Sequence, residues 1–193
     1  FGKSNNQHSE LGQVRALVSG MYDILNQFYL DIEISHISTS ETELAKKNLD
    51  HLKHMNIKQP VLAIFDRGYP SMEFIDFLET EKISYLFRLS SNDYKFERGT
   101  MESSDEMVIL RHTYQRLEKI RKKHPERFEH MKEKASTNTR IITSLLPSGK
   151  ELALMTNLPF EISQKQLENL YYQRWEIEKK YHCLLYTSDA ADE

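Results

Sequence analysis

The feature that most constrains the fold is a continuous apolar run at 61–65, which follows Pro60 and stops abruptly at Asp66. A short run of this kind is typical of a strand buried on both faces, and such strands belong to parallel sheets covered by helices. Gly68 permits a tight turn after the strand, and Pro70 suits the first position of a new helix. The sequence therefore predicts a strand, a turn and a helix, which together form a unit of an α/β sheet.

The segments around this unit predict the rest of a mixed sheet. Residues 14–25 are rich in β-branched and apolar side chains and residues 28–34 alternate, so the two predict a β-hairpin. Ser40 and Glu43 have the spacing of a capping box, which predicts that a helix begins there. Another strand is predicted at 83–89. The order of hairpin, helix, buried strand, helix and strand indicates a mixed α/β fold.

Residues 91–157 differ in character and are interpreted as an insertion into the α/β core. A polar loop precedes a short predicted strand at 107–110. Strands at 139–146 and 151–156 flank a turn that contains Pro and Gly, and they predict a second hairpin. The insertion is therefore expected to be rich in β-structure.

A basic helical stretch lies inside this insertion, where residues 111–134 contain nine Lys or Arg and four Glu. Such a patch suits the phosphate backbone of a nucleic acid. The alternative is a solvated helix face with ion pairs such as Glu129–Lys132. Composition alone does not decide between the two.

The last helix of the chain carries three polar residues on one face. Ser163 and Gln166 predict a second capping box, from which a helix runs toward the end of the chain. Tyr171, Arg174 and Glu178 follow at i, i+3 and i+7, and this spacing places them on the same side of the helix.

Two carboxylates are candidates for chemistry. Asp66 is predicted at the carboxyl end of a buried strand, where the ligand sites of open α/β sheets lie, although an Asp in a turn can also serve only to cap it. Glu178 can be explained as the partner of Arg174 in a surface ion pair. Each residue taken by itself is therefore a weak signal.

The two motifs together resemble a known family. FDRGYPS after a buried strand, followed by YYQRWEIEKKYH on a capped helix, is similar to the DDE (Asp-Asp-Glu) transposases of bacterial insertion sequences. Within them it resembles the insertion-sequence-four-like branch, which carries a Tyr-x2-Arg-x3-Glu-x6-Lys signature. Tyr171, Arg174 and Glu178 match that signature in identity and spacing, whereas Leu185 stands where its closing Lys is expected.

The resemblance implies a fold, a catalytic set and a metal. The fold would be ribonuclease H-like, with a core at 1–90, an insertion at 91–157 and a signature helix at 158–182 that completes the core. Asp66 and Glu178 would be the second and third catalytic carboxylates and would hold two Mg²⁺ ions, with Mn²⁺ as a substitute, for phosphodiester cleavage and strand transfer. The first catalytic Asp is expected upstream of Phe1, so we expect the chain to be truncated there, to lack the first strand and to be inactive by itself.

The resemblance also implies partners. Transposon-end DNA and target DNA are the expected ligands, and a homodimer is expected in the complete synaptic complex. The protein would be cytoplasmic in a bacterium and associated with the nucleoid when bound to DNA. The residues expected to contact DNA are those of the signature face, the Arg beside the catalytic Asp and the densest part of the basic stretch: Tyr171, Arg174, Arg67, Arg121, Lys122 and Lys123.

Charge and composition exclude several other classes. Residues 183–193 match the translation of a sequencing adapter and are interpreted as a non-native tail. The whole chain has 26 Lys plus Arg against 29 Asp plus Glu, and removal of that tail leaves 26 of each. The single Cys183 excludes a disulfide framework and a multi-cysteine zinc site. No apolar run approaches the roughly 20 residues of a membrane span.

Other candidate ligands receive simpler interpretations. His51 and His54 share a helix face but are interpreted as solvated residues, since no further His or Cys recurs at ligand spacing. Asp23 and Asp31 lie on the predicted hairpin and are not expected to be catalytic. Two functional alternatives stay open: a stand-alone nuclease on the same fold, and a non-catalytic α/β binding module in which Asp66 and Glu178 only cap and pair.

Overall fold

The structure is a computed structural model that describes residues 2–4, 13–175 and 177. The chain divides into two compact units, one formed by 1–59 with 175–193 and the other by 60–174. Each unit has its own sheet. None of the described helices is both long and apolar enough to cross a membrane.

The first unit contains an antiparallel three-stranded sheet and one helix. The strands are β1 (Gly2–Ser4), β2 (Gln13–Asp23) and β3 (Phe28–His36), in that order across the sheet, and the helix is α1 (Glu41–His54). The β2–β3 pair confirms the predicted hairpin. Its turn is held by Asp23, whose carboxylate accepts hydrogen bonds from the backbone N–H groups of Leu25 and Asn26.

The two faces of this hairpin have different surroundings. On one face, Asn48 of α1 donates a hydrogen bond to Asp31 at 2.9 Å. On the other, Val18, Ile32 and Ile34 are 49%, 49% and 59% exposed. Strand side chains alternate between faces, so the polar set of β3 lies toward α1 while the apolar set lies open among the described residues.

The predicted capping box at the start of α1 is wrong. Ser40 is the N-cap residue, but its side chain accepts no hydrogen bond from the helix backbone. Its hydroxyl instead lies 2.6 Å from the hydroxyl of Thr42, and the carboxylate of Glu43 binds Lys46. Hydroxyl groups compete with the backbone for partners, and here the neighbouring hydroxyl takes the place of the backbone N–H.

The second unit is a five-stranded mixed sheet with helices, consistent with a ribonuclease H-like α/β fold. The strand order is β4-β5-β8-β7-β6, in which β4 and β5 are parallel and the other pairs are antiparallel. The strands are β4 (Leu62–Phe65), β5 (Ser84–Arg88), β6 (Asp105–Arg111), β7 (Ser136–Leu145) and β8 (Glu151–Thr156). The helices are α2 (Met72–Thr80), α3 (Lys95–Gly99), α4 (Tyr114–Lys123), α5 (Pro125–Lys134) and α6 (Gln164–Gln173).

The strand–turn–helix prediction at 61–80 is confirmed with one correction. The apolar run forms β4, and its parallel partner β5 matches the strand predicted at 83–89. Pro70 does not open α2, however. Ser71 is the N-cap residue, and its side-chain oxygen accepts a hydrogen bond from the backbone N–H of Phe74 at 3.2 Å. The serine supplies an acceptor that proline lacks, so the helix begins two residues later than predicted.

The segment interpreted as an insertion joins the main sheet. The hairpin of β7 and β8 is formed as predicted, with Gly149 in its turn at φ 74°, a conformation that favours glycine. β8 pairs with β5, so this hairpin extends the sheet that begins with β4. The basic stretch forms two helices, α4 and α5, which bury a small apolar cluster of their own.

A buried arginine connects this part of the sheet to the loop before α6. Arg140 is 1% exposed and donates two hydrogen bonds of 2.6 Å to the carboxylate of Asp105. It also donates to the carbonyl oxygens of Pro159 and Ile162, at 2.7 and 2.9 Å. A charged side chain is almost never this deeply buried unless it is paired, and here its partners lie on β6 and in the 159–162 loop.

Candidate functional site

The strands of the second unit bring several charged residues to one edge of the sheet. β4 and β5 are parallel and in register, with Phe65 opposite Phe87. Their carboxyl ends therefore meet at the same edge, where Asp66 and Arg67 follow one strand and Arg88 ends the other. This edge is where ligand sites of open α/β sheets are found.

The last helix contributes Tyr171 to the same edge. Its start is fixed by the predicted capping box, which is confirmed: Ser163 accepts from the backbone N–H of Gln166, and the Gln166 side chain accepts from that of Ser163 at 2.9 Å. Tyr171 is fully buried, yet its hydroxyl donates a hydrogen bond of 3.0 Å to Oδ1 of Asp66. Two residues 105 positions apart in sequence are thus in direct contact.

Arg174 completes this contact from the end of α6. Its Nη2 atom lies 3.6 Å from Oδ2 of Asp66, and its Nε atom donates to the Tyr171 hydroxyl at 3.3 Å. The guanidinium groups of Arg174 and Arg88 lie 5.6 and 5.7 Å from the centre of the Tyr171 ring, within the range of cation–π contacts. Burial raises the pKa of Tyr171, and the negative charge of Asp66 raises it further.

Asp66 itself remains accessible. Its side chain is 44% exposed, whereas that of Arg174 is 11% exposed. The tyrosine and the arginine therefore hold the carboxylate in position from the protein side and leave the other side open. This arrangement allows the carboxylate oxygens to meet a ligand from solution.

Of the other predicted site residues, the basic ones are described and exposed, whereas Glu178 is not described. Glu178, the second predicted catalytic and metal-binding residue, lies outside the described residues. Arg67 is exposed beside Asp66. The exposed Arg121, Lys122 and Lys123 form the last turn of α4.

The basic helices show features of both interpretations made from the sequence. Glu118 pairs with Arg121 and Lys122, at 3.7 and 3.2 Å, as in a solvated helix face. The predicted Glu129–Lys132 pair is also present, at 3.6 Å. Arg121 nevertheless lies 5.3 Å from the ring centre of Tyr114, which is 56% exposed, so an aromatic group and a cation are presented together.

Asp66 is the predicted metal ligand that the described residues place at this edge. Among them, no group of three close metal-ligating side chains includes Asp66. Its carboxylate contacts a phenol and an arginine, with Arg67 next in sequence, whereas divalent ions such as Mg²⁺ prefer carboxylate oxygens and water. Asp66 fits the role of a single metal ligand, while the surrounding positive charge suits a phosphate group.

A separate group in the first unit has metal-ligating side chains. Asp31, Glu33 and His51 have ligand atoms within 4.8 Å of one another. His51 was interpreted as solvated, but its Nδ1 atom lies 2.8 Å from Oδ2 of Asp31. Burial acts to raise the pKa of Asp31, but hydrogen bonds from Asn48 and His51 outweigh it and hold that pKa below its ordinary value. These contacts explain the group as a hydrogen-bonded link between β3 and α1.

Sequence reasoning missed the contribution of Arg88. The signal was present, because an arginine at the carboxyl end of the apolar strand predicted at 83–89 is unusual among buried-strand residues. Lys150 was assigned only to a turn, and its position at the same edge follows from the antiparallel β5–β8 pairing, which the sequence did not show.

The chain was also compared with known proteins. A protein-family model described as a transposase DDE domain matches residues 13–188, nearly the whole chain. The match extends a short way into the segment at 183–193 that was interpreted as a non-native tail. No curated protein matches the chain.

Proposed function

The chain belongs to the transposase DDE-domain family, and on that basis we propose that Asp66 and Glu178 are its second and third catalytic carboxylates. The family acts on DNA and uses divalent metal ions. The proposed reaction is phosphodiester cleavage and strand transfer at the ends of a mobile element. The contact of Asp66 with Tyr171 and Arg174 is the observation that carries this proposal, because it joins the two signature motifs in one place.

Two metal ions would be held by the carboxylates. Mg²⁺, with Mn²⁺ as a substitute, would supply Lewis-acid activation of a water or a 3′-hydroxyl and would offset the charge on the leaving oxygen. Asp66 is suited to hold such an ion because its carboxylate is 44% exposed and is oriented from behind by the Tyr171 hydroxyl. Glu178 is proposed as a second ligand from its position in the signature.

The arginines of this edge would hold DNA rather than metal. Arg174 presents a planar guanidinium that can bind two phosphate oxygens at once, and Tyr171 offers its hydroxyl beside it. Arg67 is exposed next to Asp66 and would contact the same strand. A phosphate bound here lies next to the carboxylate that carries the proposed chemistry.

The basic end of α4 would extend the DNA contact. Arg121, Lys122 and Lys123 are exposed, and Lys122 retains a 69% exposed side chain despite its pairing with Glu118. Such cations add affinity for DNA without regard to its sequence. The proposed partners are transposon-end and target DNA, with a homodimer in the synaptic complex and a cytoplasmic location in a bacterium.

Iron-directed cleavage of the protein tests the metal assignment without requiring enzymatic activity. Fe²⁺ in place of Mg²⁺, with ascorbate and peroxide, is expected to cut the polypeptide near residues 66 and 178. Asp66→Asn should abolish both cuts, whereas Asp50→Asn, which alters an exposed aspartate of α1, should leave them unchanged. Cuts that persist in Asp66→Asn would overturn the metal assignment.

Cleavage of DNA tests the chemistry itself. In an active transposase that contains these residues, Asp66→Asn is expected to abolish cleavage of a transposon-end duplex in Mg²⁺ or Mn²⁺, because a neutral amide is a poor ligand for a hard cation. Retained cleavage by the variant would refute the catalytic role of Asp66. The chain would then be better explained as a non-catalytic DNA-binding module.

A further inference from the structure

Three strand ends surround a cavity at the same edge of the second unit. Its volume is about 310 Å³, and its charged lining consists of Arg67, Arg88, Arg98, Lys150 and Glu151. We call it the strand-end cavity. Its lining residues come from the carboxyl ends of β4 and β5 and from the beginning of β8. The last two are adjacent, since Leu89 after β5 donates its backbone N–H to the carbonyl of Ala153 in β8 at 2.9 Å.

One cation of this cavity has a structural task. Arg98 donates hydrogen bonds to the carbonyl oxygens of Ser90 and Asp93, at 3.0 and 3.2 Å, and its Nη2 atom binds the carboxylate of Glu151. Its side chain is only 13% exposed. Arg98 therefore holds the loop after β5 in place, and Glu151 neutralises its charge.

The remaining cations leave the cavity strongly positive. Within the described part of the chain, the side chains of Arg67 and Lys150 have neither a hydrogen bond nor an ion pair, and both residues are exposed. Arg88 has no carboxylate partner there either and lies against the Tyr171 ring. Three positive charges thus converge on one concave surface without compensation, which is an arrangement that attracts an anion.

We propose that the strand-end cavity binds a backbone phosphate of DNA, with Lys150 and Arg67 as its two flexible ligands and Arg88 as a fixed one. The proposal rests on the proposed function and adds a DNA contact from the β7–β8 turn. The cavity has the volume of roughly ten water molecules, enough for a phosphate and part of its sugar. Arg88 links this phosphate to the signature face, since it packs on the same tyrosine that contacts Asp66.

The salt dependence of DNA binding provides a quantitative test. Each phosphate neutralised by a lysine or arginine contributes about 0.9 to the slope of log affinity against log salt concentration. Fluorescence anisotropy of the full chain with a labelled duplex, measured over a series of salt concentrations, gives that slope. Lys150→Ala is expected to weaken binding and lower the slope by about 1, while Lys150→Arg should retain it.

A matched variant controls for loss of general charge. Lys165 is an exposed lysine of the same unit, in the first turn of α6 and outside the cavity lining. Lys165→Ala should change the slope less than Lys150→Ala does. If the two variants have equal slopes while the unmodified chain still binds DNA, the cavity proposal is overturned and the proposed function stands.

Two other results separate the proposals further. If the unmodified chain binds no duplex at all, the proposed function fails and the cavity proposal fails with it. Inorganic phosphate serves as a second probe by nuclear magnetic resonance titration. If Lys150→Ala abolishes phosphate binding but leaves the DNA slope unchanged, the cavity takes a free anion and the DNA proposal is overturned.

Discussion

Removal of the Arg140 guanidinium is expected to destabilise the second unit by about 3–4 kcal/mol. Arg140→Met retains the length of the side chain but removes its two hydrogen bonds to Asp105 and its bonds to two carbonyl oxygens. Breaking a buried ion pair from one side costs about 3–5 kcal/mol, since the partner is left without compensation. The Asp105 side chain is 22% exposed, so water partly solvates it, and the lower part of that range applies.

Chemical denaturation measures this effect. With a urea m value of about 2 kcal/mol/M, a loss of this size lowers the unfolding midpoint by roughly 1.5–2 M. Circular dichroism of the full chain follows the transition. Amide hydrogen exchange at 159–167 should accelerate in the variant, because the carbonyl oxygens of Pro159 and Ile162 lose their common donor.

A double variant and an exposed ion pair serve as controls for the effect of Arg140→Met. Arg140→Met with Asp105→Leu removes both charges, and it should cost less than Arg140→Met alone because no orphaned carboxylate remains. Glu129→Ala breaks a pair whose two side chains are each 62% exposed, and its cost should stay below about 1 kcal/mol. A cost below about 1 kcal/mol for Arg140→Met would refute the stabilising role assigned to this arginine.

Three further expectations concern other parts of the chain. Ser163→Ala removes the capping hydroxyl of α6 and should cost about 1 kcal/mol in urea denaturation, with no loss if the cap is unimportant. Ile34→Thr on the open face of β3 should reduce the fluorescence of a hydrophobic dye while changing stability by less than about 0.5 kcal/mol; unchanged dye binding would contradict the exposure of that face. Burial raises the pKa of three tyrosines, so the folded chain keeps protons that the unfolded chain loses. Their contribution to the free energy of unfolding should therefore be fully present below about pH 10 and be lost as the pH rises above it. Phenolate absorbance should show these groups titrating at a higher pH than free tyrosine, and titration at the ordinary pH would contradict the prediction. The three are Tyr85, Tyr94 and Tyr171.

Local patterns in the sequence predicted most strands of the fold correctly. They also predicted two capping boxes, of which one is formed. The box at Ser163 forms and the one at Ser40 does not, although both have the right spacing. The difference is the Thr42 hydroxyl at 2.6 Å, a competitor that a four-residue pattern does not weigh. A pattern of this kind states which groups can bond, whereas the three-dimensional surroundings decide which bond is made.

Long-range polar contacts were harder to predict because each partner looks ordinary by itself. Alternation in β3 separated its two faces, but α1 lies on the polar one, where Asn48 and His51 meet Asp31. Arg140 in a predicted strand gave no sign of burial, since its partner Asp105 lies on a different strand. The resemblance implied that the motif at Asp66 and the signature helix act together, but the hydrogen bond between Asp66 and Tyr171 was not itself predicted.

The charges around Asp66 lead us to expect that metal binding and DNA binding depend on each other at this edge. Arg174 contacts Asp66, Arg67 follows it in sequence, and Arg88 lies against the tyrosine that binds it; their positive charge opposes the arrival of a divalent cation. A bound phosphate would offset that charge, and if it also drew Arg174 away from Oδ2 of Asp66, it would free that oxygen for a metal. Because coupling between two ligands is reciprocal, a metal held by Asp66 must strengthen phosphate binding by the same factor. We therefore expect the site proposed around Asp66 to assemble fully only when its polyanionic substrate is present.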